Sequence, residues 1–226
     1  MIAIIKKELK NYFFSPIGYI VIGIFLIAFS AFFQLTSVSS GSIDLTALFY
    51  YTALYGLMFM APLLTMWSIA GERKNGTDQL LITSPTSMLG LVVAKFLSAM
   101  ILVIIPVILS LMYFAIIAHY QMPDIPTYLL SALGFILISM TYISFGILSS
   151  SLTKSPIVSA IITFAIIFAS MWGPMFIKKE SLSTMNLFVN FLQGQIDIPS
   201  LVLFVTLTIL CLSITMVIMQ KRKSFK

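Results

Sequence analysis

Six apolar stretches, each long enough to cross a bilayer, dominate this chain: 17–35, 48–70, 91–118, 128–148, 157–177 and 198–219. A span needs about 20 mostly apolar residues to cross a hydrocarbon core about 30 Å thick. The third stretch is long enough to tilt or to extend beyond the bilayer. Composition says the same: 60% of the 226 residues are apolar and 9% charged, whereas soluble domains average about half and a quarter. A soluble fold of this length could not hide so much apolar surface, but a membrane protein need not. The expectation is an all-α integral membrane protein, one transmembrane domain over residues 1–226, with no soluble extension.

Charge sets the orientation. With the N-terminus inside, one face receives Lys6, Lys7, Lys10, Arg73, Lys74, Lys95, Lys154, Lys221, Arg222, Lys223 and Lys226, and the other only Lys178 and Lys179. This bias places both termini in the cytoplasm and makes the basic residues topology signals and lipid-headgroup partners rather than a nucleic-acid surface. The charged start followed by an apolar run imitates a signal peptide, but it lacks small-residue cleavage chemistry and further spans follow, so it reads as a retained first span. Seven of the nine prolines fall at span boundaries. Pro62 and Pro106 lie well inside spans and predict kinks or loosened backbone. The single cysteine, Cys211, excludes an intrachain disulfide.

Three segments outside the spans carry structure. In 1–15, Ile2, Ile5, Leu9, Tyr12 and Phe13 recur at helical spacing opposite lysines, the pattern of an amphipathic interfacial helix, either a plain anchor or a docking element. In the loop 71–88, Glu72-Arg73-Lys74-Asn75-Gly76 form a polar break. Thr77-Asp78-Gln79-Leu80-Leu81-Ile82 can then form about two helical turns, with Asp78 well placed near the N-terminus. Ser84-Pro85 is a good start for another helix. That loop suits docking onto a cytosolic partner, or serves as a solvated connector. In 182–195, Leu187, Phe188, Phe191 and Leu192 face Asn186, Asn190 and Gln193, which reads as an outer re-entrant or interfacial helix ended by Gly194.

Missing chemistry narrows the function. No acidic residue lies inside a stretch, Lys95 sits near the cytoplasmic end of the third where it can snorkel, and the one histidine, His119, lies at that span's outer end. Ion-coupled carriers keep ionisable groups at membrane depth, so a proton-coupled carrier is disfavoured. Neither a His-Glu-x-x-His site nor a paired-aspartate site can be assembled, and no phosphate-binding Gly-x-x-x-x-Gly-Lys-Ser/Thr loop is present. The methionines read as packing rather than metal ligands, so no catalytic or metal residue is assigned. If the protein moves a substrate uphill, another chain must supply the energy.

The segment Glu8-Leu9-Lys10-Asn11-Tyr12-Phe13-Phe14-Ser15-Pro16-Ile17-Gly18-Tyr19 resembles the N-terminal segment of ABC-2 type transporter permeases. Among these, it is most similar to the gliding-motility and nitrous-oxide-reductase accessory branch. The stretch from Gly71 to Pro85 resembles that family's most distinctive loop, and Phe191-Leu192-Gln193-Gly194-Gln195-Ile196-Asp197 is similar to the segment before its last span. The resemblance implies a six-helix (type V-like) permease bundle with Ile5, Leu9, Tyr12 and Phe13 on an elbow helix and Thr77–Ile82 as a coupling helix. Glu72, Arg73, Lys74, Thr77, Asp78, Gln79, Leu80 and Leu81 become ATPase-coupling residues. Two cytosolic ABC ATPase subunits, which bind ATP and Mg, would sit beneath this chain and a second permease chain, identical or paired, in a bacterial inner membrane. This chain itself would bind no cofactor.

Tyr51, Tyr55 and Phe59, followed by Pro62, give the second span an aromatic stripe that lines a translocation path or simply packs. Export of an amphipathic or hydrophobic substrate, such as a peptide, antibiotic or lipid-like molecule, is the preferred expectation. A non-transporting membrane scaffold and an unassisted channel are the alternatives.

Overall fold

The computed structural model describes residues 2–35, 45–77, 87–120, 124–179 and 182–224, and among them every regular element is a helix. Helix α1 (Ile2–Phe14) meets α2 (Pro16–Phe33) at Ser15. The two are bent by 71°. Proline has no N–H to continue the ladder, so the corner falls at Ser15-Pro16. It closes tightly: a Cβ on Gly18 would sit 2.5 Å from the Tyr12 carbonyl oxygen.

The next rod is composite. It comprises α3 (Leu45–Tyr51), a π-helical segment (Thr52–Leu57), α4 (Met58–Thr65) and α5 (Ala70–Lys74). Pro62, buried within α4, removes one rung of the ladder, and irregular backbone lies on both sides of it. Then come α6 (Met88–Leu109) and α7 (Leu111–Tyr120), α8 (Ile125–Leu152), α9 (Pro156–Phe176), α10 (Thr184–Leu192) and α11 (Ile198–Ser224). Pro106 is followed by a one-residue break at Ser110, whose N–H donates to the Pro106 carbonyl at 2.8 Å.

Five rods are long and apolar enough to cross a membrane: Leu45–Lys74, Met88–His119, Ile125–Leu152, Pro156–Phe176 and Ile198–Arg222. The stretch expected at 17–35 counts as a span only together with α1, as a bent pair.

Helix α8 is the hub. Within its most apolar stretch 72% of residues are buried, against 22% for α11, and it packs on α4, α6, α9, α10 and α11. Small and hydroxylated residues make this possible, because lipid offers no hydrophobic drive between helices and close approach must supply the attraction. A Cβ on Gly146 would overlap Thr65 Oγ1, and one on Gly134 would lie 2.6 Å from Phe191 Cβ. Ser139 and Ser144 return their hydroxyl protons to carbonyls of their own helix, at 2.6 and 2.7 Å. Phe29, Phe49 and Phe135 join α2, α3 and α8 with ring centroids 5.8–6.0 Å apart.

Short α10 buries Phe188 and Phe191 against α8. It ends at Gly194, whose φ of +73° lets the Gln195 N–H reach back to the Asn190 carbonyl at 3.2 Å.

Candidate functional site

Between α4 and α5 the helix breaks, and the backbone groups it releases are taken up by side chains from three other helices. The Ser68 N–H turns to Thr65 O at 3.0 Å. Leu64 O then accepts the Tyr12 hydroxyl at 3.2 Å, and Ser68 O accepts Lys95 Nζ at 2.6 Å. On the donor side, the N–H groups of Ile69 and Ala70 donate to Ser150 Oγ at 3.1 and 2.9 Å. Irregular backbone within an apolar rod is kept where protein satisfies it in this way.

Lys95 is the centre of the junction. It is 2% exposed, and its Nζ lies 3.0 Å from Glu8 Oε1 and 3.0 Å from Glu72 Oε1. With Ser68 O these are three acceptors for the three protons of an ammonium. The snorkelling expected of Lys95 from its place near a span end is therefore overturned, and the side chain turns into the protein instead. Two carboxylates delivered by α1 and α5 offer it a stronger site than the headgroup region. Lys7 approaches Glu72 more loosely, at 3.8 Å, with its side chain 53% exposed.

The coupling residues expected from sequence divide into those turned inward and those left out. Glu72 turns into the ion cluster. Arg73 donates to Thr153 O at 2.9 Å and approaches Met219 Sδ at 3.7 Å, tying α5 to the ends of α8 and α11. Lys74 is exposed and lies over the Trp67 ring at 5.7 Å. Thr77 is exposed, and its N–H closes α5 by bonding Glu72 O at 2.9 Å, with Gly76 at φ +70°. Asp78, Gln79, Leu80 and Leu81 lie outside the described residues, as does the rest of the expected coupling helix. Of the elbow residues, Tyr12 and Phe13 pack against the core, while Ile5 and Leu9 are half-buried.

A cavity of about 730 Å³ opens beside the cluster, between α1 and the broken turn, lined among others by Lys7, Asn11, Trp67, Glu72 and Asn75.

A row of large apolar side chains leads away from it. Tyr51, Tyr55 and Phe59 share one exposed face, and Leu63 and Trp67 continue it at the same spacing of four. In a pure α-helix a step of four drifts about 40°, so four steps would carry Trp67 about 160° from Tyr51. The wider π turn, with i→i+5 bonds and about 4.4 residues per turn, drifts about 33° the other way per step. The π segment cancels part of the drift and keeps the row on one side. Phe32 stacks on Tyr51 and Tyr55 at 5.4 and 6.0 Å, and Phe164 meets Phe59 at 5.5 Å. Pro62 is buried off the row.

Across residues 2–225 the sequence matches the family described as ABC-2 family transporter protein. The chain belongs to the ABC-2 transporter family. It is thus a multi-pass membrane subunit of transport, not itself an ATPase, from a family that works with an ATPase partner. No curated protein matches the sequence.

In this ABC-2 transporter protein the residues missed from sequence are Glu8, Lys95, Ser68 and Ser150. One signal pointed to two of them. Glu8 is the only acid among the charges of the first helix, and Lys95 the only charge of its apolar stretch. An ionisable group in such a stretch calls for a partner.

Proposed function

We propose that this chain is the permease subunit of an ATP-driven exporter. It forms six spans with both termini in the cytoplasm of a bacterial inner membrane, and belongs to the gliding-motility and nitrous-oxide accessory branch, a reading supported by the likeness of its N-terminal and loop segments. Two copies of a cytosolic ATPase carry ATP and Mg, and a second permease chain, identical or paired, completes the pathway. Helix α1 is the elbow, and Thr77–Ile82 forms the coupling helix that the ATPase pushes.

The observation that carries this reading is the joint hold of Glu8 and Glu72 on Lys95. The loop leading to the ATPase contact starts from α5, and α5 is fixed to α1 and α6 through that ammonium. Arg73 adds a second tie, to α8 and α11. A displacement of the loop is therefore passed to the spans through short polar links rather than lost in a flexible connector. Lys74, Asp78, Gln79, Leu80 and Leu81 form the contact face, while Glu72 and Arg73 transmit. The row of Tyr51, Tyr55 and Phe59 lines the path, and its lack of charge suits an amphipathic or hydrophobic cargo.

Purification in a mild detergent tests the assembly. The expected outcome is co-elution of a P-loop ATPase in a two-to-two ratio with permease chains, lost on Leu80→Pro. A chain that elutes alone, with no ATPase responding to it, removes the proposal.

A further inference from the structure

We infer that the cavity between α1 and the broken turn binds an amine-bearing phospholipid of the cytoplasmic leaflet, its ammonium on Glu72 and its phosphate on Lys7. The inference rests on the orientation proposed above, which puts this end of the bundle at the cytoplasmic headgroups.

Size and position come first. The cavity holds about 730 Å³, within the range of about 300–1,000 Å³ typical of small-molecule sites. One wall is an amphipathic helix that turns by 71° into the next, and the other is the end of a long apolar rod. Phe14, 83% exposed, and Trp67, 41% exposed, belong to its lining. Tryptophan favours the headgroup boundary, where one side of its ring is apolar and the other wet.

Charge then selects the headgroup. Glu8 and Glu72 contribute −2 and Lys95 +1, so the buried part of the cluster carries one negative charge, which the half-exposed Lys7 offsets. Lys95 has no proton left to give, because Glu8, Glu72 and Ser68 O take all three. Each carboxylate spends Oε1 on Lys95 and carries a second oxygen. Among the described residues the only other ammonium on Glu72 is Lys7, at 3.8 Å with its side chain half in solvent. Such an exposed pair contributes little and is easily displaced. An incoming primary ammonium can therefore take the place of Lys7 at Glu72, and the released Lys7 meets the phosphate one linkage nearer the acyl chains. Asn11 and Asn75 supply further polar contacts at the wall.

A quaternary choline group has no N–H to offer a carboxylate, and a glycerol headgroup brings no cation to replace Lys7 at Glu72. The acyl chain has a surface waiting, because Trp67 is both cavity wall and the end of the row through Leu63 and Phe59.

The protein has two tryptophans, Trp67 and Trp172, so Trp172→Phe leaves Trp67 as the only indole reporter. The full chain in phosphatidylcholine nanodiscs is given brominated phosphatidylethanolamine, phosphatidylcholine or phosphatidylglycerol in turn, and quenching of Trp67 is read. The expected result is at least threefold stronger association of the ethanolamine lipid, with the preference lost on Glu72→Gln and weakened on Lys7→Ala. Stepwise N-methylation of the ethanolamine should lower association stepwise in the otherwise unaltered chain, which tests the assignment even if Glu72→Gln fails to fold. Excess soluble glycerophosphoethanolamine should leave quenching unchanged, and displacement by it would make the ligand a soluble headgroup instead. Equal quenching by all three lipids overturns the inference and leaves the ATPase co-purification result standing.

Discussion

Glu8 Oε1 lies 3.0 Å from Lys95 Nζ across 87 positions of sequence, and neither side chain is more than 9% exposed. Removing one member of a buried ionic group leaves an uncompensated charge, which costs about 3–5 kcal/mol, whereas removing the whole group can be nearly neutral. Lys95→Met is therefore expected to destabilise the detergent-solubilised protein strongly. Adding Glu8→Gln and Glu72→Gln to it should recover most of the loss. Thermal unfolding of the single and triple variants measures both, and a triple variant no better than Lys95→Met would refute the account.

The contact between α4 and α8 has no room at Gly146, where a side chain would meet Thr65. Gly146→Ala is expected to cost about 1–3 kcal/mol, the usual range for overpacking. Thr65→Ala should return part of it, since it removes the Oγ1 and Cγ2 contacts but leaves Cβ in place. Unfolding of the two single variants and the double variant reads the coupling.

At the opposite end, the Asp197 carboxyl accepts hydrogen bonds from Ser200 and Asn190. The Ser200 hydroxyl foremost holds it below the ordinary 3.8. A depressed folded pKa means that the carboxylate's contribution is fully present above the unfolded value and is lost as pH falls through the folded one. Hydrogen exchange at the start of α11 should thus be independent of pH above about 5 and accelerate, relative to the intrinsic rate, only below about 4. Asp197→Ala should exchange at the fast level throughout.

Deleting Ala53 from the π segment should convert it to α-helix and keep Tyr51 on the side of Phe59, because seven α steps turn the chain about 700° where six π and two α steps turn it about 690°. Cysteine placed at 51 is then expected to keep its exposure to a lipid-phase maleimide, as is cysteine at 59. Loss of labelling at 51 in the deletion variant would show that the π turn does not set the row.

Much of the architecture could be read from the chain. Twenty-odd apolar residues can only be a helix in lipid, and Gly194 ends α10 where the helical pattern runs out. The composite second rod could not be read in that way. The fourfold spacing from Tyr51 to Trp67 looks like an ordinary helical stripe until the π turn explains why its far members stay in line. Nor could the ion cluster be derived, because Glu8, Glu72 and Lys95 are brought together by a corner at Pro16, a broken turn at 66–69 and the packing of α1 on α6. In the sequence Lys95 reads as a topology signal and Glu72 as part of a polar loop, 23 positions apart. The cost of burying Lys95 alone was the clue that partners existed, but which acids they were depended on tertiary contacts.

The most direct test of the central claim is ATP-driven flux after reconstitution with the co-purifying ATPase, using a fluorescent amphipath as cargo. The account predicts ATP-dependent export by the unaltered chain, and neither a bound ATPase nor export for Leu80→Pro with the bundle still folded. Full export by Leu80→Pro, or none by the unaltered chain while its ATPase stays bound and active, would contradict it.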